Sequence, residues 1–303
     1  MREQMNSGTE AIAHHSNDDV REYYAECHSA YKKRWEREGH RSIHYGYFDQ
    51  EHTDHSEAIP NMKRNIAERV GIEPGDRILD AGCGIGETAT WLAKEYNVDV
   101  VGINISEMQL GLARNMAEDR NVEDHIEFRF DDFTQMDTIE DQSFDVVWGL
   151  ESVCYAENKR DFLEQAARAL TNGGHLAVAD GFLTNPLESL TQQERRNLWR
   201  WLNGWKVPNL AYLGKFLDHL SDLNFSEISA DDISKNVMPS SKSLYKFSLW
   251  GYPLTKLMQI AGMRNQVQTD NVAACYYQGQ TLRDHIWAYN IVTAKIDQSA
   301  PSS

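Results

Sequence analysis

The sequence predicts an α/β fold: a doubly wound, mostly parallel sheet of seven strands with an α-helical cap. Three observations predict it. Between residues 77 and 182, short apolar segments rich in β-branched and aromatic residues alternate with helical patterns. A glycine-rich turn, ILDAGCGIGETATWLA at 78–93, ends the first of those segments and opens a helical pattern. After Pro186 the alternation gives way to stretches of helical spacing dense in tryptophan, tyrosine and leucine.

Taken in order, residues 1–18 are polar and read as a disordered tail. Val20, Tyr23, Tyr24, Cys27, Tyr31 and Trp35 then recur at helical spacing, an amphipathic helix that Gly39 can stop. SIHYGYFD (42–49) reads as extended or looped, and a second helix spans 54–70 and ends at Gly71. Residues 19–71 are thus expected to form an N-terminal helical lid. Five strands follow: RILDAG (77–82), DVVGINIS (99–106), IEFRFDD (126–132), FDVVWGLES (144–152) and HLAVADGF (175–182), with helices near 86–96, 106–120 and 158–171. Right-handed crossovers put those helices on both faces of the sheet, and ligands then bind just beyond the carboxyl ends of the strands. This core is expected over 72–185. Residues 186–275 read as a cap that includes part of the sheet edge. Its helices break near Pro208, SEISADDIS (226–234) is a sixth strand, and SLYKFSLWGYPLTKLMQIAG (243–262) is helical with a break at Pro253. Residues 276–297 hold the final strand, HIWAYNIVTAKI, and 298–303 form a tail.

Composition narrows the function. The formal net charge is −16, which repels phosphate backbones, and no basic run exceeds YKKRWER, so nucleic acid is not an expected partner. The four cysteines form no C-x-x-C pair and indicate neither a zinc site nor a disulfide framework. His40, His44, His52 and His55 match no strong ligand spacing, so no metal is expected. The N-terminal segment lacks the apolar run of a secretory signal, and no run reaches membrane-spanning length. The expected location is the cytoplasm. The oligomeric state stays open, a homodimer included.

The glycine turn carries the chemistry. Glycines at a strand-to-helix turn allow positive φ and let a ligand touch the main chain. A dinucleotide site wants G-x-G-x-x-G, but Glu87 occupies the place of the last glycine. The pattern is Asp80-x-Gly82-x-Gly84-x-Gly86, and a carboxylate there opposes pyrophosphate and suits a cation. LDAGCGIG resembles the first motif of class I S-adenosylmethionine-dependent methyltransferases, which have a Rossmann-like sheet, and the likeness runs in order through residues 40–182. The resemblance implies S-adenosylmethionine as cofactor, with Asp80 on its ammonium and Gly82, Gly84 and Gly86 along its methionine part. The second strand ends at Asn104 where many members carry an acid. That departure, followed by Ser106-x-x-Gln109, is similar to the sterol, tocopherol and cyclopropane-fatty-acid-type subgroup. Asn104 is then expected on a ribose hydroxyl and Gln109 on the other, although Gln109 equally fits a solvated helix position. In FRFDDF the resemblance implies that Asp132 accepts from the adenine amino group beside Phe133, while Asp131 is simply solvated.

On the acceptor side, no serine or cysteine triad is visible, and in-line methyl transfer needs none. The resemblance puts an active-site acid at Glu151 in GLESVCY, with Tyr155 close by, and Cys154 as a packing residue. In sterol-type and prenyl-type C-methyltransferases such an acid is associated with stabilising or deprotonating a cation. SIHYGYFD resembles a lid segment of that subgroup, which implies that Tyr45, Gly46 and Tyr47 shield the sulfonium. Five of the eight tryptophans lie after residue 186, and GWKVPNLAYLGKFLDHL (204–220) is loosely similar to the cap of lipid- and isoprenoid-acting members. The expectation is a methyltransferase acting at carbon on a small hydrophobic acceptor, lipid or isoprenoid in type. The alternatives are N-methylation of a small amine and a non-catalytic S-adenosylmethionine-binding protein.

Overall fold

The computed structural model describes residues 15–38 and 42–297; the expected tail at 298–303, residues 1–14 of the N-terminal one, and His40 lie outside them. Asn17 and Asp18, expected in the tail, already belong to the first helix, α1 (Asn17–Glu38). The serine before it explains the early start: the Ser16 main-chain N–H and hydroxyl both donate to Asp19 at 2.8 Å and fix the first turn.

After α2 (His55–Val70) the chain alternates: β1 (Arg77–Ala81), α3 (Glu87–Tyr96), β2 (Asp99–Asn104), α4 (Glu107–Arg120), β3 (Ile126–Phe130), β4 (Phe144–Leu150), α5 (Lys159–Ala169) and β5 (Leu170–Leu183). The cap follows as α6 (Gln192–Trp205) and α7 (Leu213–Asp222), then β6 (Phe225–Asp232), α8 (Ser234–Ile260), α9 (Gln266–Arg283) and β7 (Trp287–Ile296). The seven strands form one sheet in the order β3-β2-β1-β4-β5-β7-β6. Pairing is parallel from β3 to β5, and β7 runs antiparallel to both β5 and β6.

Local chemistry sets these boundaries. Gly71 closes α2 in the left-handed region at φ 66°, donating its N–H to Ala67. Ser106 caps α4 by accepting from the Gln109 N–H, and Thr191 with Glu194 forms a capping box on α6. Two expectations fail. The residue 275–276 boundary falls inside α9, whose buried face (Val272, Ala273, Ala274, Cys275, Gln278) runs unbroken across it. The break at Pro253 is absent, because α8 runs through both Pro239 and Pro253. Pro253 is exposed, so the carbonyl it leaves without an N–H partner faces water and the helix continues.

Two apolar layers sandwich the sheet. On one face Ile78, Val100, Val146, Trp148 and Ala177 pack under α2, α3 and the cap; on the other Leu79, Val101, Val147, Leu176 and Val178 pack under α5 and α7. Period-two alternation along the central parallel strands thus sends successive apolar residues to opposite cores. The strand order reverses between β1 and β4, which leaves a crevice at their carboxyl ends.

Candidate active site

That crevice is a cavity of about 600 Å³. The loops after β1, β2 and β4, with Asp180 and Gly181 of β5, form its floor, α1 and the 42–45 segment one wall, and α6, α8 and α9 the other. Of the eleven cofactor and catalytic candidates read from the sequence, nine line it, and Gly86 and Asp132 do not.

The glycine turn adopts left-handed geometry three times: Gly82 at φ 87°, Gly84 at φ 55° and Gly86 at φ 77°. Each has its own reason. A Cβ on Gly82 would lie 2.5 Å from the Ser152 Cβ, and one on Gly86 would lie 2.7 Å from the Phe128 ring. A Cβ on Gly84 would meet nothing within 4 Å. Gly82 and Gly86 therefore serve close packing, and Gly84 leaves main chain bare at the cavity wall.

Asp80 sits at the tip of β1, fully buried, with the Ala89 N–H as backbone partner and no hydrogen bond on its second oxygen, Oδ2. Burial raises its pKa to about 7 even though Lys63 pulls it down. A buried, half-charged carboxylate with an unused oxygen beside bare main chain fits the ammonium of an amino-acid ligand. Next to it, Lys63 of α2 donates to Glu87 at 2.5 Å, and the Ser42 hydroxyl donates to the same carboxylate at 2.7 Å. Burial opposes the charge on Glu87, but Lys63 and Ser42 outweigh it and hold the acid at about 2. Glu87, conspicuous in the sequence only for breaking the dinucleotide pattern, thus pins the helix after the glycine turn to α2.

Asn104 and Gln109 line the cavity, hydrogen-bonded to each other at 2.9 Å, and Asn104 also donates to the Gly84 carbonyl at 3.1 Å. Phe133 lies edge-on to Phe162 and lines the cavity too. Asp132 does not. Its carboxylate accepts from Asn17 of α1 at 2.6 Å and from Thr134 at 2.7 and 2.8 Å, outside the cavity lining. Asp131, expected to be solvated, is buried and accepts from the N–H and hydroxyl of Thr138 and from the N–H groups of Asp132 and Asp137. It ties down the loop that presents Phe133.

Glu151 lies at the end of β4 with a left-handed backbone, φ 51°. Such a conformation in a non-glycine residue stores strain and often marks a functional position. Its Oε1 accepts from the Tyr45 N–H at 2.7 Å and from the Tyr289 hydroxyl at 2.8 Å. Burial raises its pKa to about 8, with Asp180 adding repulsion, against the pull of these two hydrogen bonds. The Tyr45 ring meets Tyr289 edge-on at 5.6 Å, and its hydroxyl donates to Gln278. Tyr155 joins Tyr24 of α1 to the Trp205 carbonyl through its hydroxyl. Gly46 and Tyr47 do not line the cavity: Gly46 packs on Ala58 and Tyr47 donates its N–H to the Ala58 carbonyl. The SIHYGYFD segment therefore contributes Tyr45 to the site and its next two residues to α2.

Sequence reasoning missed Asp180 and Lys159. Asp180, within β5, accepts from the N–H groups of Cys154 and Gly181, and burial raises its pKa. Lys159 is buried just behind, its Nζ donating to the carbonyls of Cys154, Ala156 and Asn209, and burial lowers it to about 8. The signal was available: Asp180 lies on the parallel strand next to β4 and, one residue past the Leu150–Ala179 pair, is level with Glu151. Among the described residues no cluster of three or more His, Cys, Asp or Glu side chains could hold a metal. His44 and His55 line the cavity, and His52 bonds Asp49 on the surface.

A glycine turn with a buried acid, at the switch point of a 3-2-1-4-5-7-6 sheet, defines the class I methyltransferase fold. The family described as "Methyltransferase domain" matches residues 72–237, and this chain belongs to it: it is an S-adenosylmethionine-dependent methyltransferase. It is 34% identical over 199 residues to 27-O-demethylrifamycin SV methyltransferase of Amycolatopsis mediterranei, covering 66% of this chain and 72% of that protein. It is 25% identical over 241 residues to the sterol 24-C-methyltransferase of Saccharomyces cerevisiae, covering 79% of this chain and 59% of that one. In fold it is similar to the [4+2]-cyclase SpnF, with a TM-score of 0.74 at 22% identity over 96% of this chain and 99% of the cyclase.

Proposed function

We propose that the enzyme methylates a carbon of a hydrophobic, isoprenoid-type alkene. The observation that carries this reading is Glu151. It is a carboxyl group that takes or gives a proton near pH 8, held by Tyr45 and Tyr289 at the base of a cavity walled by Tyr24, Tyr155, Trp201, Trp205 and Trp287.

S-adenosylmethionine supplies an electrophilic methyl group on a sulfonium. Asp80 would take its ammonium, the bare main chain at Gly84 its amino-acid part, Asn104 and Gln109 the ribose, and Phe133 the adenine face. Asp132 would join them only by exchanging Asn17 for the adenine amino group. When the acceptor's double bond forms the new bond to the methyl carbon, the methyl–sulfur bond would break with its electron pair left on sulfur, S-adenosylhomocysteine being the leaving group, and the acceptor's other carbon is left cationic. The aromatic faces and the Glu151 carboxylate stabilise that charge. Loss of a C–H proton to Glu151 then restores the double bond, and the carboxyl returns the proton to water. Excluding water from the aromatic wall protects the cation from capture.

A second reading is methylation of a hydroxyl on a comparably hydrophobic scaffold, with Glu151 taking the hydroxyl proton. What favours it is the 34% identity to an enzyme named for an O-demethylated substrate. The decisive experiment offers isotope-labelled methyl donor with prenyl diphosphates, quinones, sterols, polyketide alcohols and small amines, and locates the label by mass spectrometry. Label on an alkene carbon supports the proposal. Label only on oxygen or nitrogen overturns it.

A further inference from the structure

The second half of α8 is built inside out. Ser248 and Thr255 point inward, buried, and satisfy their hydroxyls on the carbonyls three residues back, Tyr245 and Tyr252. Its outward residues are apolar: Trp250 is 86% exposed, Leu254 58%, Leu257 65% and Ile260 83%, with Met263 just beyond at 65%. At 100° per residue these four helical positions fall on one side, opposite Ser248 and Thr255. A water-facing helix normally shows the reverse pattern, and a contiguous exposed apolar patch marks an interaction surface.

Charge selects the occupant. In a chain of net charge −16, the 27 residues of α8 contain Lys235, Lys242, Lys246 and Lys256 and no acid. Lys242 and Lys246 share the outward side, one and two turns before Trp250, and both are exposed. A second copy docking through the same face would bring lysines against lysines. An anionic headgroup layer instead pairs with those lysines while tryptophan, leucine and isoleucine enter the acyl boundary, as in interfacial helices. No described helix is long and apolar enough to cross a membrane, so the helix would lie along the surface. The face is also continuous with the cavity. Phe247, 57% exposed at the same end of the patch, lines the cavity together with Leu244, Arg264 and Gln268.

We propose that the outward face of α8 docks on an anionic lipid bilayer, so that the cavity mouth beside Phe247 opens toward the membrane.

Flotation with phosphatidylcholine vesicles, with and without phosphatidylglycerol, tests this without donor or acceptor, so its outcome is independent of the acceptor chemistry. The wild-type protein should float with the anionic vesicles and be released by salt. The W250E/L257E variant should lose at least about tenfold of that binding, and K242E/K246E should lose the preference for anionic lipid. None of these four side chains lines the cavity, so turnover of a water-soluble acceptor and the thermal melting curve should not change. The proposal is overturned if the wild type floats with neither vesicle or if W250E/L257E floats as well as the wild type. It is also overturned if sedimentation without lipid shows a dimer that W250E/L257E abolishes.

Discussion

With Asp80 as the proposed partner of the cofactor's ammonium, the binding of S-adenosylmethionine should depend on pH with a definite sign. In the free protein burial holds its pKa at about 7. An ammonium on the unused Oδ2 favours the charged carboxylate, so the bound pKa falls and binding releases a proton. With a free pKa of 7 and a bound pKa well below 6, the protonated fraction costs the affinity roughly 11-fold at pH 6 and about twofold at pH 7. The affinity should therefore rise about fivefold over that unit, on the order of 1 kcal/mol. Above pH 7.5 the ligand's own amino group begins to lose its proton and the rise ends. Titration calorimetry at pH 6.0, 6.5 and 7.0, in buffers of different ionisation enthalpy, reads both the affinity and the released proton. Asp80→Asn should bind at least tenfold more weakly at pH 7, about 1.4 kcal/mol, and show no pH slope in this range. A flat or falling wild-type affinity between pH 6 and 7, or no proton release, would refute the assignment of Asp80 to the ammonium.

Glu151→Gln should leave donor affinity intact and lower turnover more than tenfold, at least about 1.4 kcal/mol of barrier; full activity would remove Glu151 from the chemistry. Because the base form of Glu151 is the one above its raised pKa, kcat/KM for the acceptor should climb with pH through a midpoint at or below about 8, and a rate that falls over pH 6–8 contradicts it. Tyr289→Phe removes a hydrogen bond that stabilises the charged form of Glu151, so that same limb should move to higher pH, and a downward shift would place the hydroxyl in another role.

The sheet was legible because each parallel strand is a short apolar run and each turn carries a glycine or a cap. Asp80 and the glycines were legible because a strand-to-helix turn dictates what its residues can do. Glu151 and Asn104 came from family resemblance, and only coordinates show that Glu151 has positive φ and two donors. What stayed hidden was long-range. Asp132 and Asp131 are adjacent acids, and nothing local says that one would be claimed by Asn17, 115 residues earlier, while the other turns inward to hold a loop. Pro253 reads as a break in any local rule, yet its exposed position makes the lost hydrogen bond cheap. Lys159 reads as a surface helix residue until Asn209, 50 residues later, supplies two of its acceptors.

Asp80 and Glu151 stand at the ends of β1 and β4, and Asp180 lies level with Glu151 on β5, the next strand of the sheet. Burial raises the pKa of all three, Asp80 to about 7 and Glu151 to about 8, so the free cavity holds these two partly protonated instead of assembling three negative charges out of water. Lys63 is committed to Glu87 and Lys159 to carbonyls, which leaves the row of acids short of cations from within the fold. A ligand carrying both an ammonium and a sulfonium supplies what is missing and shifts each acid toward its charged form. With Glu151 as the proposed proton acceptor, that shift populates its deprotonated, proton-accepting form once the methyl donor is in place. The same desolvation that costs stability in the empty cavity thereby selects a doubly cationic ligand over a dinucleotide, whose phosphates would meet the same acids with the wrong sign.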